Sequence, residues 1–177
     1  MKIRDRMLLG ILSGLTANVG KNITMLIFGR LGFSQKSFQD VGAGFFLSPR
    51  ETKTFAGQIV GLLCDFSIAM TIATANVYHL SYSGRDHWFL KGLATGSVFW
   101  STMYGFLGKV GNKTSVFPVT AKTAISSFIG HALFGISANY IVVKLADPVI
   151  FSRNPAYHEA VEGEIRAYGK KFKIKQL

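Results

Sequence analysis

The chain reads as an all-α polytopic membrane protein, with four transmembrane helices arranged as two repeated helical hairpins. Three observations predict this. Of the 177 residues, 49% are hydrophobic and only 16% charged, against roughly 25% charged in an ordinary soluble domain. The charges are segregated and leave four mostly apolar stretches, about 7–31, 54–80, 88–108 and 122–145, each near the ~20 residues that a spanning helix requires. A pattern also recurs: Pro49, Lys53, Thr54 and Gly61 open one stretch at the spacing with which Pro118, Lys122, Thr123 and Gly130 open another. The stretches preceding these openers begin with G-x-x-x-G (Gly10/Gly14, Gly92/Gly96) and end in Gly29-Arg30-Leu31-Gly32 and Gly108-Lys109-Val110-Gly111.

The first stretch follows a basic start, Met1 to Met7, as a signal peptide would. A cut after Ala17 would leave Leu15 at the small-residue position, and the apolar pattern resumes after Lys21-Asn22, so retention as the first span is expected. Gly32 is the expected C-cap, because glycine tolerates the left-handed conformation that ends helices. The connection 33–48 is long for a hairpin. Within Gln35–Phe46, Phe38, Val41, Phe45 and Phe46 share a face, which predicts a short helix lying in the membrane interface. Ser48-Pro49-Arg50-Glu51 has a capping-box residue at each end and proline at the first helical position, so the second span should start there and run to Leu80. Ser81-Tyr82-Ser83-Gly84 makes a turn, and Asp86 is the expected N-cap of the third span. The polar loop 109–121 leads to the fourth span, which Asp147-Pro148 closes.

Residues 1–148 thus form the membrane domain, and 149–177 differ in kind. Asn154-Pro155 opens an amphipathic helix with Glu159, Glu162 and Glu164 early and Arg166 late, the order the helix dipole favours. Lys170, Lys171, Lys173 and Lys175 then form a basic cluster around Phe172 and Ile174. It reads either as a clamp on anionic lipid headgroups or as a solvated tail.

The net charge of +11 sits at span ends and in the tail. That placement suits lipid headgroups and topology signals, and it lacks the interleaved aromatic–basic stripe of a nucleic-acid surface, so no nucleic-acid partner is expected. With both termini inside, twelve basic residues face the cytoplasm against seven outside, or seven against seven once Arg166 and the tail lysines are set aside. The count leans to cytoplasmic termini.

Small residues let backbones approach, which makes Gly10, Gly14, Gly57, Gly61, Gly92, Gly96 and Gly130 the expected helix-packing positions. Lys21 lies ten residues before Leu31 and Asp65 ten residues after Phe55. At 1.5 Å per residue both fall about 15 Å below the same surface, close to the middle of a ~30 Å hydrocarbon core. At 100° per residue, Gly10, Gly14, Ala17, Asn18 and Lys21 share one sector of the first helix, and Gly57, Gly61, Cys64, Asp65 and Ile68 one of the second. The two charges are expected to face each other, with Asn18 or Asn22 adding hydrogen bonds. An unpaired charge at that depth costs about 2.5–3.5 kcal/mol even on the lenient insertion scale. The pair is therefore either an ion pair fixing helix register or a site for an ion, proton or polar headgroup. His131 completes this polar layer at nearly the same depth, with Ser101, Tyr104 or Asn139 as expected partners. Tyr78, Tyr82 and Trp88 read as interfacial anchors and Trp100 as packing.

Several chemistries find no support. There is no H-E-x-x-H, C-x-x-C or P-loop, His79 and His87 lack metal-ligand spacing, and the lone Cys64 reads as a small buried apolar residue. No metal, cofactor or catalytic residue is expected. The helical region, about 7–145, resembles a group of four-helix integral membrane proteins of Firmicutes-type bacteria. The matching residues are Lys21-Asn22, Asp40-x-x-Ala43-Gly44, Lys91-Gly92 with Gly96 and Trp100, and Ser126-Ser127-Phe128-Ile129-Gly130-His131 leading to Phe134-Gly135. The resemblance implies a bacterial cytoplasmic (inner) membrane location and four helices, and supplies no activity.

The leading expectation is a small non-enzymatic membrane protein that binds a partner, lipid or ion through the layer Asn18, Lys21, Asp65 and His131. The partner could be a second copy of the chain or another membrane protein. The rivals are an ion- or proton-coupled transporter or channel subunit and an intramembrane lipid-acting enzyme.

Overall fold

The computed structural model describes residues 2–107 and 120–151, which are all-helical, without strands. The tail lysines Lys170, Lys171, Lys173 and Lys175, the expected tail helix and the loop around Lys109 lie outside the described residues. Helix α1 spans Arg6–Arg30, α2 Phe38–Gly44, α3 Phe55–Ser83, α4 Trp88–Trp100 and α5 Ala121–Leu145. Short 3-10 turns cover Glu51–Lys53 and Pro148–Phe151. Helices α1, α3 and α5 are long and apolar enough to cross a membrane. Helix α4 has 13 residues and continues as a seven-residue π-helical turn, Ser101–Leu107.

The ends of the helices follow from local chemistry. The Asp5 carboxylate accepts from the Leu8 N–H (2.8 Å) to start α1. At its other end Gly32 has φ of 72°, Phe33 N–H bonds Phe28 O and Gly32 N–H bonds Gly29 O, the paired bonds of a Schellman motif. Helix α3 starts later than its proline suggests. Ser48-Pro49-Arg50-Glu51 folds as a turn, with the Ser48 carbonyl accepting from Glu51 and Thr52, and Thr54 is the N-cap, accepting from the Gly57 N–H. Asp86 does not cap α4. His87 holds that position at φ of 50° with no side-chain bond, and Asp86 lies 3.6 Å from Lys91 instead.

Helix α2 corrects the expectation of a surface-lying segment. It is only seven residues long, closed by a reciprocal Ser37/Asp40 capping box, and Phe38, Val41, Gly42, Ala43 and Gly44 are all buried. The apolar face that reads as lipid-seeking points into the protein, while Phe46 is left exposed.

Four close approaches set the helix packing. A Cβ at Gly10 would overlap Thr74 of α3, and one at Gly14 would lie 2.8 Å from the Met70 Cα. A Cβ at Gly92 or Gly96 would overlap the Gly135 or His131 carbonyl of α5. Helix α1 also packs along α5, so α1 and α5 form the centre, with α3 and α4 outside them. Gly57 and Gly61 do not serve α1 as expected. A Cβ at Gly57 would strike the Glu51 carbonyl, and one at Gly61 the Gln39 carbonyl, so these two glycines seat the 3-10 turn and α2. Gly130 admits the Phe38 ring and the Lys21 stem, 3.2 and 3.6 Å from its Cβ position.

The N-terminal segment locks onto the end of α5. Ile3 N–H bonds Leu145 O, Asp147 N–H bonds Ile3 O (both 2.9 Å), and Arg4 pairs with Asp147 at 2.8 Å. The start of α1 and the end of α5 therefore lie at the same end of the bundle, beside a cluster of Leu9, Val77, Leu80, Val142 and Ile150.

Gly96→Leu should destabilise the fold by about 1–3 kcal/mol, the usual range for overpacking. Gly20, whose Cβ position meets nothing within 4 Å, should accept alanine with no loss, because alanine favours helix over glycine by ~1 kcal/mol. Thermal unfolding of the two variants in detergent tests the contrast, and an equal response would contradict the packing described.

Candidate functional site

Lys21 is completely buried, and its Nζ lies 2.5 Å from Asp65 Oδ1. The second carboxylate oxygen, Oδ2, accepts from Asn18 Nδ2 and Asn22 Nδ2, both at 2.8 Å. A carboxylate has about four acceptor positions, and three here are filled by side chains of α1. Asn22 Nδ2 also bonds the Asn18 carbonyl, and Asn22 Oδ1 accepts from Gln39 Nε2 (2.8 Å), which ties α2 into the same network. The remaining surroundings of the ammonium are aromatic: Nζ lies 4.3 Å from the Phe38 ring centroid and 5.8–5.9 Å from those of Phe134 and Phe99. The ring faces carry partial negative charge and attract a cation that has left water.

His131 is buried on α5. Its Nδ1 lies 2.8 Å from the Ser127 carbonyl, so Nδ1 carries the hydrogen and donates. None of its expected partners supplies that bond. Phe38, Phe99 and Tyr104 instead stand edge-on around the imidazole, at centroid distances of 5.0, 4.9 and 5.8 Å. Asp65 and His131 both line a void of about 30 Å³, together with Phe38, Cys64, Phe99 and Tyr104. A water needs roughly 10–15 Å³ of such space, so the void suits a single water and excludes an organic substrate. The structure thus brings Asn18, Lys21, Asp65 and His131 into one layer.

A second polar cluster escapes the sequence reading. The Asn76 amide donates to Asn139 Oδ1, Thr95 Oγ1 donates to Asn76 Oδ1 (3.1 Å), and Asn139 Nδ2 donates to the Trp88 carbonyl (2.9 Å). It joins α3, α4 and α5 where Asn139 had been expected to serve His131. The available signal was one asparagine inside each of two apolar runs, since such a group in a membrane is stable only when bonded. Asp40, in the connection outside the spanning helices, is held by Lys53 (2.8 Å), Gln58 (2.9 Å) and the Ser37 N–H (3.1 Å). Burial pushes its carboxyl up, but these three donors outweigh it and hold the group below the usual carboxylate range. Among the described residues no group of three or more His, Cys, Asp or Glu could hold a metal ion.

Comparison with protein-family models, with curated proteins and with solved structures gives no match.

Removing one partner of a buried ion pair costs about 3–5 kcal/mol, whereas replacing both by apolar groups is often neutral. Lys21→Met and Asp65→Leu should each lower thermal stability sharply, and the double variant should recover most of the loss. Recovery should stop short by about 1–3 kcal/mol, because the Asn18 amide loses its acceptor. Additive losses in the double variant would show that the two groups do not satisfy each other. For Asp40 the sign follows from its depressed folded value. Its contribution is full above the unfolded pKa of about 3.9 and is lost as pH falls through the folded one. The stability gap between wild type and Asp40→Asn should therefore be widest near neutral pH and close on acidification; a gap independent of pH would contradict the assignment.

Proposed function

We propose that the chain is a four-span integral membrane protein of the bacterial cytoplasmic membrane, with both termini cytoplasmic. In this reading it is non-enzymatic and binds a lipid, ion or membrane partner, with the layer Asn18, Lys21, Asp65 and His131 as its organising element. The observation that carries this is the engagement of the Asp65 carboxylate, with three of its about four acceptor positions filled from α1 and only a water-sized void beside it. A group held by three internal donors suits the organisation of a binding scaffold better than turnover. The enclosure of His131 by Phe38, Phe99 and Tyr104 favours binding over a lipid-acting enzyme, which needs a histidine open to the bilayer.

The fourth span would be α4 with its π-helical turn, together 20 residues, close to the minimum for crossing. An even count of spans agrees with the junction of the N-terminal segment and the end of α5. The two-hairpin repeat is supported by the glycine pairs of α1 and α4, each packed on the long helix that follows it within its hairpin. The bacterial location is the one that the resemblance to Firmicutes-type proteins implies.

A proton-coupled carrier is the second reading, favoured by the void that Asp65 and His131 share. Proteoliposomes with an entrapped pH dye separate the two. The binding reading expects wild-type vesicles to leak protons no faster than protein-free ones. Proton flux that Asp65→Asn abolishes, in a variant that keeps its helicity, would overturn it. Reporter insertions at 34–36 and 84–86 test topology, with the first outside and the second cytoplasmic as the expected result.

A further inference from the structure

Between α1, α3 and the connection into α2 lies an open groove of about 630 Å³. Its α1 wall is formed by Val19, Ile23, Leu26 and Arg30, one helical stripe whose first three members are about half exposed. Leu62 and Phe66 of α3 form the facing wall. From Val19 to Arg30 the chain climbs about 16 Å at 1.5 Å per residue, half of the ~30 Å hydrocarbon core and so the depth of one leaflet. The mouth is basic: Arg30 and Lys36 both line it, and no acidic residue does. Among the described residues Arg30 takes part in no ion pair. The inner end reaches Asn22 and Gln39, the bonded amides that connect α2 to the polar layer.

We propose that this groove binds one anionic phospholipid, with an acyl chain along Val19, Ile23, Leu26, Leu62 and Phe66 and the phosphodiester at Arg30 and Lys36. The inference rests on the membrane reading above and names the ligand class for it. Arginine's planar fork matches phosphate oxygens, and the lysine adds a second positive charge. The chemistry selects against a zwitterionic lipid, whose cationic headgroup would face two basic side chains. It also selects against a soluble apolar ligand, which would leave the mouth unused.

The test uses the full-length protein, inserted into bilayer nanodiscs and then released for native mass spectrometry after equilibration with equal phosphatidylglycerol and phosphatidylcholine. Wild type should retain the glycerol lipid about thirtyfold over the choline lipid, as two basic contacts near a membrane surface imply. Arg30→Gln combined with Lys36→Gln should bring retention to near parity. Leu26→Trp, which fills the groove and leaves every charge in place, should lose retention of the anionic lipid. The tail lysines are the same in all variants, so they cannot produce these differences. A wild type without preference, or variants that keep it, would overturn the proposal. Displacement of bound phosphatidylglycerol by millimolar inorganic phosphate would show a pocket for free phosphate and overturn the lipid assignment. A protein that fails to enter the nanodisc defeats the membrane reading itself, whereas one that enters and shows no preference defeats only the groove.

Discussion

The fold depends on one buried ion pair. Lys21 and Asp65 face each other at matching distances from the same end of antiparallel helices, where a bilayer would offer neither of them water. The Coulomb attraction alone does not meet the desolvation of two charges. The structure adds what is missing: two asparagine amides on the carboxylate and three aromatic rings around the ammonium. Each addition constrains a different element. Asn18 and Asn22 fix the rotation of α1, Phe38 fixes α2, and Phe99 and Phe134 bring α4 and α5 into the same layer. A single electrostatic requirement therefore reaches all five helices.

The glycines make that layer geometrically attainable. Lys21 and Asp65 can meet at 2.5 Å only if α1 and α3 run close together, and Gly10 and Gly14 remove the side chains that would hold them apart. Gly61 does something different: it lets the backbone of α2 rest on α3, so a helix too short to be stable alone is held in place. Irregular backbone within a membrane is tolerated only when buried in protein. The capping box at Ser37, together with Lys53 and Gln58 on Asp40, meets that condition by satisfying the start of α2 internally.

The same physics explains what could be read from residues alone. A lysine and an aspartate stand out within apolar runs, and their depth and facing follow from rise and rotation per residue, so the pair was legible. The burial of α2 was not. Phe38, Val41 and Phe45 make the same amphipathic stripe whether it seeks lipid or a protein groove, and only the packing at Gly61 decides between them. Ser48 to Glu51 misleads for a related reason, since serine, proline and glutamate open 3-10 turns as readily as helices. Tyr104 was legible as a neighbour of His131, but Phe38 and Phe99 come from two separate helices, and no spacing in the chain foretells that they meet there.

The distribution of polar groups bears on where a binding function can reside. The Lys21 layer and the Asn76–Asn139–Thr95 cluster spend their hydrogen bonds internally, which leaves the helix exteriors apolar: Leu63 and Val98 are among the most exposed side chains. A surface of that kind accepts any lipid tail and discriminates among none. Discrimination requires charge held beside a concave wall, and the groove that runs from Val19 to Arg30 offers that combination. It also touches the network, since Gln39 belongs both to its wall and to the chain of bonds ending at Asp65. The groove wall and the polar layer therefore share a residue. A ligand that binds the folded bundle and not the unfolded chain stabilises it by mass action, so binding would be legible as stability, with no chemical step required.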